Sequence, residues 1–366
     1  MLISRRRFSL AVLAASLAIA CLWVGGVFGL TAASDPKAPS SFHFTVTSDI
    51  HLKTKTYSKV LDAMKADSGG QGAFQVSVGD VVDVKGQSPQ PVRDVIDAHF
   101  GKEAIWFPVV GNHDTNAAAT AVAWRREEFD TGHGVRKPLK DVVKNGGPPG
   151  CVETTYSFDF GSAHIVVLNE YYNGSTDAGT GGNIVPGLLQ WTEADLAANT
   201  KPFVFVFGHE PAFAQKRHIG DSLDAHPSSR DAFWSLLVRH KVKAFISGHI
   251  HFYYNELHDG VYQISDGNAG AFYRVSDGNA GDERGQTYLD VIVGPDDARV
   301  KVWQNDSDGG TSWHLADTID LGAPVKAGNP AAVPGAPAKA GKAAAGHAGD
   351  YKPKTLADMK ALYAKK

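Results

Sequence analysis

The chain has 366 residues, of which 43% are hydrophobic and 20% charged, so it can bury a sizeable core and is not a disordered protein. Its formal charge of −3 at pH 7 argues against a protein held to nucleic acid by a global basic charge. The only two cysteines, Cys21 and Cys151, exclude a disulfide scaffold and a cysteine-based zinc site.

Charge is unevenly distributed along the sequence. Residues 1–33 contain three arginines and no acid, and residues 322–366 contain eight lysines and two aspartates. The stretch between them has 25 basic and 37 acidic residues, a net charge of −12. We therefore expect no nucleic acid partner. An acidic body that binds a small phosphate ester needs a local positive charge, such as a metal cation.

The first 33 residues have the pattern of an export signal. Arg5, Arg6 and Arg7 resemble a twin-arginine motif, an uncharged run follows at 8–30, and small residues follow at 31–34. The alternatives are a membrane anchor, because 23 apolar residues can span a bilayer, and a weaker lipidation site at Cys21. Each interpretation predicts a body exported from a bacterial cytoplasm to the periplasm or cell envelope.

Residues 40–321 alternate short apolar runs with helical patterns, which predicts one α/β domain built on a mixed pair of sheets. Residues 322–366 are rich in Ala, Pro, Gly and Lys and are predicted to be a largely disordered basic tail. The predicted strands are Phe42–Thr47, Phe74–Val78, Ile105–Val110, Tyr156–Phe160, His164–Leu168, Phe203–Phe207, Ala244–Ser247, Val261–Ser265, Tyr288–Val293 and Val300–Gln304. The predicted helices are Ser58–Ala66, Val92–Phe100, Thr120–Phe129, Pro186–Asn199 and Ser229–His240.

Five short polar clusters stand out because each follows an apolar strand. In α/β sheets, the loops at the carboxyl ends of strands gather along one edge and form the binding crevice. We therefore expect loops rich in Asp, Asn and His at these positions to meet. The clusters are Asp49-Ile50-His51, Gly79-Asp80-Val81-Val82-Asp83, Gly111-Asn112-His113-Asp114, Gly208-His209-Glu210-Pro211 and Gly248-His249-Ile250-His251.

The side chains in these clusters are typical of a binuclear metal centre. Carboxylate, amide and imidazole groups bind borderline and hard divalent cations, and no thiolate is present to compete. The set exceeds the needs of one ion, and a carboxylate can bridge two. Two cations can clamp a phosphoryl group and generate hydroxide at neutral pH. Any one cluster alone fits an ordinary strand-end turn, but the five together favour the metal site.

In this order, the motifs D-x-H, G-D-x-x-D, G-N-H-D, G-H and G-H-x-H resemble those of the calcineurin-like metallophosphoesterase superfamily. The likeness spans about residues 42–304. Segments 156–161 and 189–196 are similar to the purple-acid-phosphatase-like branch, and G-N-H-D with G-H-x-H to the class III phosphodiesterase-like branch. The resemblance implies that residues 40–321 form a catalytic domain with a two-sheet β sandwich flanked by helices, a four-layer α/β/β/α fold.

The resemblance also implies a role for each matched residue. His113 would donate a proton to the leaving group and would be oriented by Asp83. Two divalent cations would share the bridging ligand Asp80. The other ligands of the first cation would be Asp49, His51 and His251, and those of the second Asn112, His209 and His249.

Two departures from the family patterns bear on the substrate. Purple acid phosphatases place a ligating tyrosine at the position of Asp83 and lack the histidine that is His51 in this chain. Protein phosphatases continue with V-D-R-G, whereas this chain has Val82-Asp83-Val84-Lys85-Gly86. This second difference argues against a phosphoprotein substrate.

The resulting prediction is a metal-dependent phosphoric ester hydrolase in which a hydroxide bridging two Mn, Fe, Zn or Co ions attacks phosphorus. The motifs lean slightly toward small phosphodiester substrates. The alternatives are an exported phosphomonoesterase that scavenges phosphate and a non-catalytic metal-binding module. Candidate specificity elements are the insertion between Asp114 and Cys151, Tyr253-Tyr254-Asn255, and His218 and His226, although surface-loop histidines are the favoured interpretation of the last two.

Overall fold

A computed structural model describes residues 41–84, 86–115, 120–271, 285–307 and 309–323. In chain order the helices are α1 (Thr54–Asp67), α2 (Gln90–Phe100), α3 (Asn112–Thr115), α4 (Thr120–Thr131), α5 (Pro186–Ala198) and α6 (Pro227–Arg239). The strands are β1 (Phe42–Thr47), β2 (Gln75–Ser77), β3 (Trp106–Pro108), β4 (Asn145–Gly146), β5 (Tyr156–Phe160), β6 (Ala163–Val167), β7 (Phe203–Phe207), β8 (Ala244–Ser247), β9 (Tyr254–His258), β10 (Val261–Ser265), β11 (Thr287–Val293), β12 (Ala298–Asn305) and β13 (Trp313–Asp320).

The strands form two mixed sheets. The six-stranded sheet has the order β13-β12-β11-β1-β2-β3, and the seven-stranded sheet has the order β4-β5-β6-β7-β8-β10-β9. Strands β1, β2 and β3 are parallel to one another, and so are β6, β7, β8 and β10. The remaining pairings are antiparallel.

Alternating apolar side chains pack the two sheets against each other. In β1, Phe42, Phe44 and Val46 belong to this inner core, and the Phe44 ring lies 5.7 Å from that of Phe205 in β7. Helices α1 and α2 cover the outer face of the six-stranded sheet, and α5 and α6 cover that of the seven-stranded sheet. The predicted two-sheet sandwich flanked by helices is confirmed.

The ten predicted strands and five predicted helices are all present, with ends shifted by a few residues. Strands β4, β9 and β13 were not predicted. In the described part of the chain, no helix is long and apolar enough to cross a membrane. The predicted export signal or anchor at 1–33 and nearly all of the predicted tail at 322–366 lie outside the described residues.

Candidate metal centre

The predicted ligands all lie just beyond the carboxyl ends of five strands. Asp49 and His51 follow β1, Asp80 follows β2, and Asn112 follows β3. In the other sheet, His209 follows β7, while His249 and His251 follow β8. Because β1–β3 are parallel and β7 and β8 are parallel, each sheet presents its ligand loops at one edge.

Much of the site is built on unusual backbone. A positive φ is uncommon for residues other than glycine, and it persists only where the surrounding structure holds it. Five of the seven predicted ligands adopt it: Asp49 (48°), His51 (49°), Asp80 (50°), His249 (69°) and His251 (63°). Such backbone conformations cost conformational free energy. Their presence indicates that these loops are shaped by the directions their side chains must take rather than by stability.

One group of four side chains surrounds the first predicted cation position. Atoms of Asp49, His51, Asp80 and His251 lie within 4.8 Å of one another. His51 Nε2 is 3.8 Å from Asp49 Oδ1 and 3.7 Å from Asp80 Oδ2. Asp49 Oδ1 is also 3.1 Å from His251 Nε2, and His51 Nε2 is buried without a hydrogen-bond partner. Buried polar atoms are rarely left without partners, so this donor set fits a divalent cation.

A second group shares Asp80 with the first. His209 Nε2 lies 3.4 Å from Asp80 Oδ2 and 3.0 Å from Asn112 Oδ1. The Nδ1 atom of His249 is 3.1 Å from Asn112 Oδ1 and 3.2 Å from His209 Nε2. Two imidazole nitrogens directed at one amide oxygen and one carboxylate also fit a cation. The predicted ligands are therefore brought together as two groups that meet at Asp80.

The buried carboxyl and imidazole groups of the cluster shift one another's pKa values. Burial alone would raise the pKa of the Asp49 carboxyl, but His251 and His51 hold it well below its usual range. Burial likewise opposes ionisation of Asp80, yet His209 lowers the Asp80 pKa to about 2. Burial, His209 and His218 hold the pKa of His249 well below its ordinary value. Ionised carboxylates and neutral imidazoles are the forms that bind metals. Burial lowers the pKa values of His51 and His209, but the neighbouring carboxylates outweigh burial and raise both. These two imidazoles would therefore release a proton when a cation binds.

Two glycines allow the ligands to approach the backbone. A Cβ on Gly111 would lie 2.2 Å from Asp80 Oδ1, and a Cβ on Gly79 would lie 2.2 Å from His209 Nδ1. Gly79 also has a φ of 91°, which side chains rarely tolerate. Gly79 and Gly111 therefore leave space for the side chains of predicted ligands.

His113 lies beside the cluster, and Asp83 contacts it through its backbone carbonyl. His113 Nδ1 is 2.6 Å from the backbone carbonyl of Asp83, and its Nε2 is 3.8 Å from Asp80 Oδ2. The carboxylate of Asp83 is instead 3.3 Å from His51 Nδ1 and 3.3 Å from Lys53 Nζ. The main chain of Asp83 therefore orients His113, and its side chain orients the predicted ligand His51.

A buried ion pair ties the G-N-H-D loop to the loop after β2. Asp114 accepts the backbone N–H of Gly111 at 2.9 Å and that of Val82 at 3.1 Å. Arg125 lies 2.8 Å from the same carboxylate, and it also donates to backbone carbonyls at the end of β3. The pair fixes the relative positions of two ligand loops.

Sequence reasoning missed a second buried carboxylate that supports the site. Glu170, just after β6, accepts the backbone N–H groups of His209 and Glu210 at 2.8 and 2.6 Å. Burial and the neighbouring Glu210 raise the Glu170 pKa to about 8. Tyr171 donates its hydroxyl to Glu210 at 2.7 Å. Glu170 follows an apolar strand as the five predicted clusters do, and that was the signal that could have found it.

The candidate specificity elements have different locations. The His218 ring centre is 4.0 Å from that of His249, so His218 lies at the metal centre rather than on a remote surface. His226 is exposed at the start of α6. Tyr253 and Asn255 bind the carboxylate of Asp317 in β13, which joins the edges of the two sheets.

Comparison with known proteins agrees with this geometry. A family model for calcineurin-like phosphoesterases matches residues 42–253. An acid phosphatase of Aspergillus ficuum is 29% identical over 134 residues, which is 27% of this chain and 21% of that protein. The chain thus spans about a fifth of the length of the curated relative it matches.

Similar solved structures share the fold at low sequence identity. GAP50, the anchor in the inner membrane complex of Plasmodium, has a TM-score of 0.52 at 14% identity, covering 79% of this chain and 90% of that one. The purple acid phosphatase PPD1 of yellow lupin has a TM-score of 0.51 at 13% identity, and the match covers 77% of this chain and 53% of that one. PhoD has a TM-score of 0.51 at 13% identity, and the match covers 78% of this chain and 71% of that one. The family model matches more than half of the chain, which therefore belongs to the calcineurin-like phosphoesterase family.

Proposed function

We propose that this protein hydrolyses a small phosphate ester at a centre of two divalent cations that share Asp80. The observation that carries the proposal is the pair of donor groups meeting at that one carboxylate. The first cation is assigned to Asp49, His51, Asp80 and His251, and the second to Asp80, Asn112, His209 and His249. When bound, two cations supply charge neutralisation for phosphate oxygens and a hydroxide nucleophile at neutral pH.

The residues of the chain have distinct parts in this reaction. Asp49 and Asp80 provide the buried negative charge that retains the cations. His113 is half-exposed beside Asp80, and its Nδ1 contact with the Asp83 carbonyl leaves Nε2 directed toward the centre. We assign to Nε2 the proton that is donated to the departing oxygen of the ester. His218, whose ring centre lies 4.0 Å from that of His249, is the second residue that we assign to the phosphate.

The family motifs and the acidic body support a proposal for the substrate class. We favour a phosphodiester, as the G-N-H-D and G-H-x-H motifs suggest, with a phosphomonoester as the second candidate function. The acid phosphatase relationship favours that second candidate. The metal ions are proposed to be Mn, Fe, Zn or Co, because oxygen and nitrogen ligand sets accept all four. We also propose that residues 1–33 direct export of the protein. This segment is then either cleaved off or kept as a membrane anchor through residues 8–30.

Turnover of p-nitrophenyl phosphate and bis-p-nitrophenyl phosphate tests the proposal. The purified protein, loaded with each metal in turn, should hydrolyse at least one of them and lose activity with a chelator. Preference for the bis ester supports the phosphodiester assignment, and preference for the mono ester supports the second candidate. A chain that binds two cations and hydrolyses neither ester would be a metal-binding module rather than an enzyme.

A further inference from the structure

Two large apolar side chains are exposed beside the metal centre. Val84 is 55% exposed and directly follows Asp83, whose carbonyl orients His113. Ile219 is 53% exposed and directly follows His218, whose ring lies against His249. In the described part of the chain, four large apolar side chains are more than half exposed. Two of these four directly follow residues that contact His113 or His249.

Hydrogen bonds hold both side chains in these positions. The backbone N–H groups of Asp83 and Val84 donate to Gln87 Oε1 at 3.0 and 2.9 Å. In the other loop, the carbonyl of His218 accepts the N–H of Asp221 at 3.0 Å and the hydroxyl of Ser222 at 3.1 Å. The exposure of Val84 and Ile219 is therefore a property of ordered loops. Apolar area held in water by ordered backbone is available for a ligand to cover.

One exposed lysine contacts the residue before Val84, and another precedes Ile219 in the same loop. Lys53, which is 44% exposed, lies 3.3 Å from the Asp83 carboxylate. Lys216 is exposed and precedes His218 by two residues. The rim of the centre thus combines apolar and cationic side chains on a body whose net charge is −12. A surface of this kind matches a single amphiphilic anion, and the acidic body does not favour an anionic bilayer.

We propose that Val84 and Ile219, which we name the apolar rim, select phosphate esters that carry an apolar group. The proposal rests on the proposed function and deepens it by naming the substrate class. The phosphate would occupy the metal centre, and the apolar part of the ester would lie across the rim. Removing either rim side chain should weaken binding of the apolar group and leave the chemistry at phosphorus in place.

A homologous series of n-alkyl phosphates, from ethyl to octyl, tests this with nearly constant leaving-group chemistry. The matching n-alkyl methyl phosphodiesters are assayed in parallel, all below their critical micelle concentrations. For wild-type protein, kcat/KM should rise with chain length. In Val84→Ser and Ile219→Ser the rise should be smaller, with roughly a 3- to 10-fold loss on the octyl ester relative to wild type. Inhibition by n-alkylphosphonates, which are not hydrolysed, and their direct binding measured by calorimetry should follow the same order.

Val135→Ser and Leu257→Ser are matched controls. These side chains are 56% and 53% exposed and belong to no part of the proposed site, so both variants should retain the wild-type chain-length dependence. Equal kcat/KM and equal phosphonate inhibition along the series would overturn the proposal while leaving the proposed function intact. A rise that occurs only above the critical micelle concentration would also overturn it, because it would indicate an aggregated interface. Absence of turnover with calorimetric phosphonate binding that still rises with chain length would instead reject the proposed function and support the rim.

Discussion

The buried carboxylate of Glu170 accepts the backbone N–H of His209, a candidate metal ligand, at 2.8 Å. The same oxygen accepts the N–H of Glu210 at 2.6 Å, so one side chain fixes two consecutive residues of the ligand loop. A Cβ on Gly208 would lie 2.2 Å from the other carboxylate oxygen, so only glycine leaves space for this contact. Glu170 therefore positions the loop of His209, one of the residues proposed to hold the second cation.

Replacing Glu170 should affect the second cation more than the first. Glu170→Ala leaves two buried N–H groups without an acceptor, each costing about 1–3 kcal/mol, and frees the loop that carries His209. We expect the folded variant to bind one metal equivalent where wild type binds two, as measured by emission spectrometry. Glu170→Gln keeps an acceptor oxygen and should restore most of the second equivalent. Two full equivalents in the alanine variant would rule out the positioning role.

In His113→Ala, the loss of kcat/KM should depend on the leaving group of the ester, as expected if His113 is the proton donor. An alkoxide is a strong base and needs a proton to depart, whereas p-nitrophenolate leaves largely without one. We expect a roughly 10²–10⁴-fold loss in kcat/KM on alkyl esters, a smaller loss on p-nitrophenyl esters, and unchanged metal content. Equal losses on both ester types, with both metals retained, would contradict the proton-donor assignment.

Asp83→Asn provides the comparison for His113. Because the Asp83 carboxylate contacts His51 and Lys53 while its backbone carbonyl contacts His113, the variant keeps the contact that orients the proposed acid. We expect weaker binding of the first cation and similar fractional losses for good and poor leaving groups. A leaving-group dependence like that of His113→Ala would show that the carboxylate acts through His113 after all.

His218 and His226 form a matched pair in one loop region. His218 lies against His249, whereas His226 is exposed at the start of α6. If His218 contacts the phosphate, His218→Ala should raise KM and the inhibition constant of inorganic phosphate by roughly tenfold, as expected for a lost charge-assisted hydrogen bond. His226→Ala should change neither quantity. Equal effects of the two substitutions on phosphate inhibition would contradict a specific contact for His218.

A buried histidine remote from the metal ligands should make stability depend on pH. His164 lies 2.8 Å from both Asp159 and Asp195, with Ser157 and Lys144 bound to the same carboxylates. Burial lowers the His164 pKa, but the two carboxylates outweigh burial and raise it from 6.5 to about 9. The raised pKa implies a stabilisation that is complete below pH 6.5 and is lost as the pH rises through about 9.

His164→Gln removes this pH-dependent contribution. The free energy of unfolding, measured by denaturant titration at constant metal concentration, should favour wild type by about 2–3 kcal/mol near pH 6. The difference should shrink steadily between pH 7 and 10. A difference that stays constant over this range would show that His164 is not protonated between the two carboxylates in the folded protein.

The sequence predicted the parts of the fold in which the apolar pattern is strong. Strands β1 and β7 carry alternating or continuous apolar residues and have the predicted bounds. Strand β4 has only two residues, and β13 is mostly exposed, so neither has an apolar run to mark it. Such edge strands are specified by their partners: β13 exists because β12 offers it a hydrogen-bonding edge.

At the site, residue types were predictable but contacts between loops were not. Asp80 and its neighbours stand out because polar residues follow apolar strands. Which atom of Asp83 meets His113 depends on the path of the loop from 81 to 89, and no local pattern encodes that path. The distance from His218 to His249 likewise results from the packing of loops that are 31 residues apart in sequence, at positions 218 and 249.

The number of metal ions bound by wild-type and Asp80→Asn proteins tests the central claim most directly. Asp80 is the one side chain assigned to both cations, and an asparagine keeps its size while removing its charge. By emission spectrometry on folded protein, we predict about two equivalents per chain for wild type and a loss from both positions, to below one equivalent, for the variant. A wild-type chain that binds a single ion, or a variant that retains two with near-wild-type activity, would contradict the binuclear centre.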